Sequence, residues 1–478
     1  MKNRKIIYKY IALASLSIVF IACKNLAIVS KTENKKVPES FINSQDSTNS
    51  AKILWKDFFK DSYLTTLIDE ALKKNQEYNI ILQEINIAKN EVRARKGAYL
   101  PSLNVGVGAG VEKVGLYTSQ GANDANTEIA PNKAFPDPLG NLVLGVNASW
   151  EIDVWKKLRN SKKSAVYHYL STIDGKNFMV TNLVSEIANS YYELLALDNQ
   201  LEILKQNIQI QQNALEIVKL EKAAAKVTEL AVRKFEAEVY KNQSRQYSIM
   251  QQITVIENKI NFLVGRFPQP VARDAKQFNE MLPTSVKSGI PSQLLENRAD
   301  VKQAEQLLAA SKLDIKVAKA EFYPSLRITL GTGFQAFNLA YLIKSPQSLL
   351  YSLAGDLVAP LINRNAIKAN FYTANSKQIQ AAYNYERTIL NAYIEVTNQL
   401  SNIDNLDKSY NLKTQQVEAL NQSIEISTGL FKAARADYME VLLTQRDAIE
   451  AKFDLVETKM MQMNAMISIY RALGGGWR

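Results

Sequence analysis

Along the chain the spacing of apolar residues switches from helical to alternating and back, and it does so twice. Leu64, Leu67, Ile68 and Leu72, then Ile81, Ile85, Ala88 and Val92, recur every three or four residues, as on one face of a helix. Asp61 or Ser62 can cap its start and Gly97 can close its end, which predicts a helix of about 35 residues. The period then drops to two. Leu103, Val105, Val107 and Ala109 fall on one face, with Asn104, Gly106, Gly108 and Gly110 on the other. A loop rich in Gly, Asn, Asp and Pro covers roughly 115–140. Alternation resumes with Leu142, Leu144, Val146, Ala148, Trp150 and Ile152 opposite Val143, Gly145, Asn147, Ser149, Glu151 and Asp153. Residues 100–154 thus read as a hairpin whose strands, apolar on one side and small or polar on the other, match those of a transmembrane barrel.

The second half repeats these events. "AYLPSLNVGVGAG" at 98–110 returns as "EFYPSLRITLGTG" at 321–333, after the helical "NRADVKQAEQLLAASKLDIKVAKAEF". Leu326, Ile328 and Leu330 lie on one face, and Leu349, Tyr351, Leu353 and Leu357 supply a returning strand, which places a second hairpin at 324–361. Internal duplication follows. Between and after the hairpins, 176–264, 361–428 and 430–473 contain no Gly or Pro and are dominated by helix formers. A helical run of about 65 residues would extend about 100 Å. The expected division is a targeting segment at 1–22, a polar tether at 23–54, a first repeat at 55–268, a linker at 269–290 and a second repeat at 291–478.

Two hairpins give four strands, whereas small membrane barrels have about eight. One copy alone would leave sheet edges open in lipid, at several kcal/mol per unsatisfied backbone group. Two, three or four copies sharing a barrel would give eight, twelve or sixteen strands, and periodicity does not choose among them. A membrane address is written at the N-terminus. Lys2, Arg4, Lys5 and Lys9 precede the apolar "IALASLSIVFIA", which is too short to span a bilayer but suits a signal segment. It ends at Cys23, the one cysteine, which cannot pair within the chain and sits at a cleavage junction, as an acylation site would.

Composition removes other readings. The net charge of +11 is spread without a block of five like charges, so a nucleic-acid surface is not expected. With His168 the single histidine and Cys23 at the processing site, neither a His/Cys metal centre nor a catalytic pair can be assembled. Glu186, Glu193 and Glu202 lie among Lys and Asn in helical repeats and read as solvated or helix-to-helix contacts. Met460, Met461, Met463 and Met466 read as helix packing. No enzyme activity, cofactor or metal is expected. Tyr99, Trp150, Phe322 and Tyr323 fit either an interfacial aromatic belt or packing where strands meet helices.

Taken in order, "WKDFFKDSYLTTLIDEALKKN", "AYLPSL", "ASWEIDVWKKLR", "VSEIANSYYELLALDNQL", "NRADVKQAEQLLAASKLDIKVAKAEFYPSL", "ARADYMEVLLTQR" and "YRALGGGW" resemble the TolC-type outer-membrane efflux channels, over about 37–478. "FIAC" resembles a lipoprotein box with Phe20 where Leu is usual, and Lys24 in place of Asp fits outer-membrane delivery. The resemblance implies an α+β membrane protein: a homotrimer with a 12-stranded β-barrel and a long periplasmic α-helical barrel, docked to a periplasmic adaptor and an inner-membrane RND-type pump. It implies a passive exit duct for drugs, toxic compounds or metal ions, anchored by lipid at Cys23. A type I protein-secretion channel and a pore-less periplasmic coiled-coil scaffold are the alternatives. It also places adaptor-contact tips at Ala224, Ala225 and Lys226 and at Ala434, Arg435 and Ala436, with Ala225 and Ala434 standing where a tip Gly is common. Near the second tip, relatives carry a gate Asp where this chain has Leu443; Arg446 is retained, and Met439 lies one turn earlier on the same face. Either Leu443 and Met439 form an apolar ring that closes the pore by dewetting, or Leu443 is a buried seam residue.

Overall fold

A computed structural model of the chain describes residues 31–41, 48–275, 278, 281, 286–433 and 435–477; the targeting segment, Cys23 and Ala434 lie outside the described residues. The main elements are α1 (Ser62–Lys74), α2 (Gln76–Tyr99), β1 (Ser102–Glu112), β2 (Leu139–Ile152), α3 (Lys157–Ala223), α4 (Glu229–Val264), α5 (Ala299–Ala320), β3 (Ser325–Ala336), β4 (Leu349–Val358), α6 (Asn365–Lys432) and α7 (Tyr438–Ala472). At 67 and 68 residues, α3 and α6 continue through Gly175 and Gly429, so the helices outrun the Gly-free stretches that signalled them. Two units emerge. One gathers 87–169 and 306–382, the other 33–86, 170–305 and 383–478.

In the first unit the two hairpins join into one antiparallel sheet of order β1-β2-β3-β4. The β2–β3 pairing, which neither hairpin requires, aligns Leu144 with Phe334 and Trp150 with Ile328; β1 sets Val107 beside Leu144, and β4 sets Leu353 beside Leu330. Every apolar set therefore shares one face. On the other face Gly145 and Gly333 meet so closely that a Cβ on Gly333 would lie 2.3 Å from the Leu144 carbonyl oxygen. The strand-to-helix corners are tied to each other: Trp155 stacks on Tyr323 with ring centroids 4.7 Å apart, and its indole N–H donates to the Pro324 carbonyl (2.8 Å). Asp153 caps α3 by accepting from the Leu158 and Arg159 N–H groups at 3.0 and 2.9 Å. Phe322 is buried against Phe371 with Ile315 and Ala318, so of the aromatic set it takes the packing role. Trp150 remains on the apolar face and donates to the Tyr99 carbonyl at 3.3 Å.

The second unit corrects one expectation and fastens two segments. The helix read from 62 to 97 breaks at Asn75, whose amide donates to the Leu263 carbonyl (2.8 Å) while its Oδ1 accepts from the Tyr78 N–H (2.8 Å). The expected tether is packed where it is described: Phe41 is buried and stacks on Tyr393 at 5.5 Å, Lys35 pairs with Glu305 at 2.7 Å, and Ala51 is buried. The expected linker is also anchored, with Val271 and Phe278 buried and Arg273 holding both Asp198 and Glu257 at 2.5 Å. These side chains reach partners distant in sequence, which composition alone does not reveal.

Its core gathers Leu64 and Ile68 of α1 with Ile187, Leu194 and Leu195 of α3, Ile260 of α4 and Tyr470 of α7. Tyr470 stacks on Phe58 at 4.1 Å, and its hydroxyl donates to the Ile53 carbonyl. Burial and the neighbouring Asp61, to which the Tyr191 hydroxyl donates at 2.8 Å, push that hydroxyl above its ordinary range. Beyond α7, Gly474 adopts φ +95° and passes the Asn297 carbonyl where a Cβ would not fit, so the glycine run that stops the helix also seats the chain end. Beside it, Arg298 is buried and donates to Asp300 (2.7 Å), Glu395 (2.8 Å) and the Ala472 carbonyl (2.8 Å). Burial opposes its charge, but the bonds to both carboxylates outweigh it and hold the guanidinium above its ordinary pKa. Arg298→Ala leaves these carboxylates without their buried partner and is expected to cost about 3–5 kcal/mol, read as a lowered denaturation midpoint of the detergent-solubilised protein.

Candidate functional site

The long helices reverse at two tight turns, and both belong to the second unit. At the first, the Lys226 N–H donates to the Glu221 carbonyl and the Ala225 N–H to the Lys222 carbonyl, each at 2.9 Å, a pair of bonds that closes a helix when the intervening residue is left-handed. That residue is Ala225, with φ +57°. A Gly would enter this conformation freely, whereas Ala meets its own Cβ. At the second turn the Arg435 N–H donates to the Leu430 carbonyl at 2.9 Å, the counterpart of the Lys226 bond; Ala434, between them, lies outside the described residues. Ala436 follows, half-buried, and Asp437 caps α7 by accepting from the Met439 N–H.

The two turns pack together. Leu215 and Val218 of α3, Val232 and Phe235 of α4 and Leu442 of α7 form a small core, against which Val227, Tyr438 and Met439 rest; the Phe235 and Tyr438 rings are 6.4 Å apart. The proposed gate residues therefore occupy different settings. Met439 belongs to this packing, while Leu443 is 40% exposed and Arg446 points to solvent, paired with the adjacent Asp447 at 3.1 Å. Within one chain Leu443 is thus the more open of the two, and Met439 the more packed.

Charge around the first turn was not apparent from composition. Lys222 bridges to Glu229, and Arg233 binds Glu229 and Glu236, both at 2.8 Å. The Lys222 bond and both cations hold the Glu229 carboxyl below its usual range, and the Glu236 bond and Glu229 raise Arg233. The i,i+4 spacing of Glu229 and Arg233 was a readable signal, but the Lys222 bond exists only because the turn folds α4 back. Among the described residues no cluster of His, Cys, Asp and Glu could hold a metal, and no helix is long and apolar enough to cross a membrane.

Residues 67–266 and 290–475 match the family described as outer membrane efflux protein. The chain belongs to that family. This efflux protein is 26% identical over 426 residues to the pyoverdine export outer membrane protein OpmQ of Pseudomonas aeruginosa, covering 89% of this chain and 87% of the relative. To the cation efflux system protein CusC of Escherichia coli it is 25% identical over 447 residues, covering 92% and 93%. Its fold superposes on the open state of the MtrE outer membrane channel of Neisseria gonorrhoeae with a TM-score of 0.83 and 20% identity, over 95% of this chain and 99% of that one.

At the first turn of this efflux protein, Ala225→Gly removes a left-handed Cβ at a site already closed by two hydrogen bonds. A net gain of about 0.5–1 kcal/mol is expected, and amide exchange at Ala225 and Lys226 should slow by roughly two- to five-fold.

Proposed function

We propose that three copies of this efflux protein close one 12-stranded barrel in the outer membrane and form a passive exit duct for solutes delivered by a periplasmic adaptor and an RND-type inner-membrane pump. The observation that carries this reading is the sheet. β1 and β4 are its outer strands, their far edges have no partner among the described residues, and one face carries Leu103, Val105, Val107, Tyr351, Leu353 and Leu357, all strongly exposed. Such a sheet suits lipid only when neighbouring copies pair its edges. A pore-less scaffold gives this face no role. OpmQ is named for pyoverdine and CusC for cations, so related chains serve different cargoes, and cargo choice is assigned to the pump.

In this reading residues 1–22 are removed and Cys23 carries lipid. The turns at Ala224–Lys226 and 434–436 meet the adaptor, and Leu443 from each copy narrows the periplasmic end. Native mass in mild detergent should show three copies, each lacking residues 1–22 and carrying an acyl mass on Cys23. A monomer soluble without detergent is the contrary result. Leu443→Ala should raise the leak current of the resting channel in a planar bilayer; an unchanged resting current removes Leu443 from the gate.

A further inference from the structure

The sheet register collects charge in one place. Of the charged residues in the four strands, Glu112, Glu151, Arg327 and Asp356, every one lies on the face opposite the apolar one, and three of them form a single row. Glu151 of β2 is the ladder partner of Arg327 of β3, and Arg327 is the partner of Asp356 of β4. The remainder of that face is Gly, Asn, Ser, Thr, Gln and a few aliphatic residues. Glu151 is neutralised from outside the sheet by Lys157, which reaches its Oε1 at 2.7 Å. The side chains of Arg327 and Asp356 are exposed and take no hydrogen bond or ion pair within the described residues.

We propose that this row is a charge-balancing belt inside the barrel, with Arg327 and Asp356 as its two active charges of opposite sign. The inference rests on the exit-duct reading, which makes this face the lumen wall. Arg327 is the third residue of β3, near the strand-to-helix corner, where an Arg on the lipid face costs about 0–1 kcal/mol, so its place on the small-residue face beside two carboxylates is set by those neighbours more than by lipid. Rings of charged side chains on a pore wall set the local ion population, and near 0.1 M salt their field reaches about 10 Å. With Glu151 held by Lys157, one free cation faces one free anion, so the belt favours neither sign. Arg327 keeps the duct from selecting cations, and Asp356 keeps it from selecting anions.

Two single substitutions should therefore act in opposite directions. The acylated full-length protein, and the same protein carrying Leu443→Ala to widen the periplasmic end, would be placed in planar bilayers under a potassium chloride gradient centred near 0.1 M. Arg327→Gln should raise the potassium-to-chloride permeability ratio by roughly two-fold and Asp356→Asn should lower it by a similar factor; both shifts should shrink in 1 M salt, where the field reaches only about 3 Å. Shifts in one common direction, or none while current flows, overturn the belt. If neither protein passes current, the exit-duct reading falls and the belt falls with it.

Discussion

Unpaired backbone at the two edges of the sheet is the constraint on which the rest depends. About half of the residues of β1 and of β4 turn their N–H and C=O groups away from the sheet, with no partner among the described residues, beside a face of Leu, Val and Tyr. Water would satisfy those groups but not that face, and lipid would accept the face but not those groups. In the proposed barrel, strands from neighbouring copies satisfy both demands. The alternating pattern must then hold through all four strands at once, because a slip of one residue between β2 and β3 would exchange the two faces over half the sheet. The Gly145–Gly333 contact acts against such a slip, since neighbouring positions would bring a side chain to a place where only a glycine fits.

Periodicity carried much of this architecture. Strand faces, the duplication and the long helices are repeating features, and a repeat announces itself through its period. What escaped were single contacts between distant residues. Asn75 ends a helix because it can reach the Leu263 carbonyl, yet Asn within a helical pattern looks unremarkable. Segments 31–41 and 271–275 are polar enough to pass for connectors, and only the positions of Tyr393, Glu305, Asp198 and Glu257 show that they are fastened. At the first turn, Ala225 is an excellent helix former, so nothing in the local sequence indicates a left-handed residue. The likeness to relatives located that turn, while the packing of Met439 beneath it depends on how two turns from different halves meet.

Charge is used in two ways. In the helical unit, Arg273 and Arg298 are largely withdrawn from water and each gathers two carboxylates from separate stretches of chain. Guanidinium suits this role because its planar fork can bond several oxygens at once without losing its proton. In the sheet unit, Arg327 stays exposed and its ladder neighbours leave it free. The same side chain thus fixes connections in one unit and faces solvent in the other, and the sequence alone shows no difference between the two.

The last turn of α7 is built onto the segment that precedes α1. Tyr470 stacks on Phe58, its hydroxyl meets the Ile53 carbonyl, and the carbonyl of Ala472 is held by Arg298. A polypeptide that emerges from a translocation pore with its N-terminus first exposes Phe58, Phe59 and the apolar side of α1 long before their last partner arrives. Completion of this core is consequently a late event in biogenesis, because Tyr470 follows Ile53 by 417 residues and the oldest segment stays uncovered until it arrives.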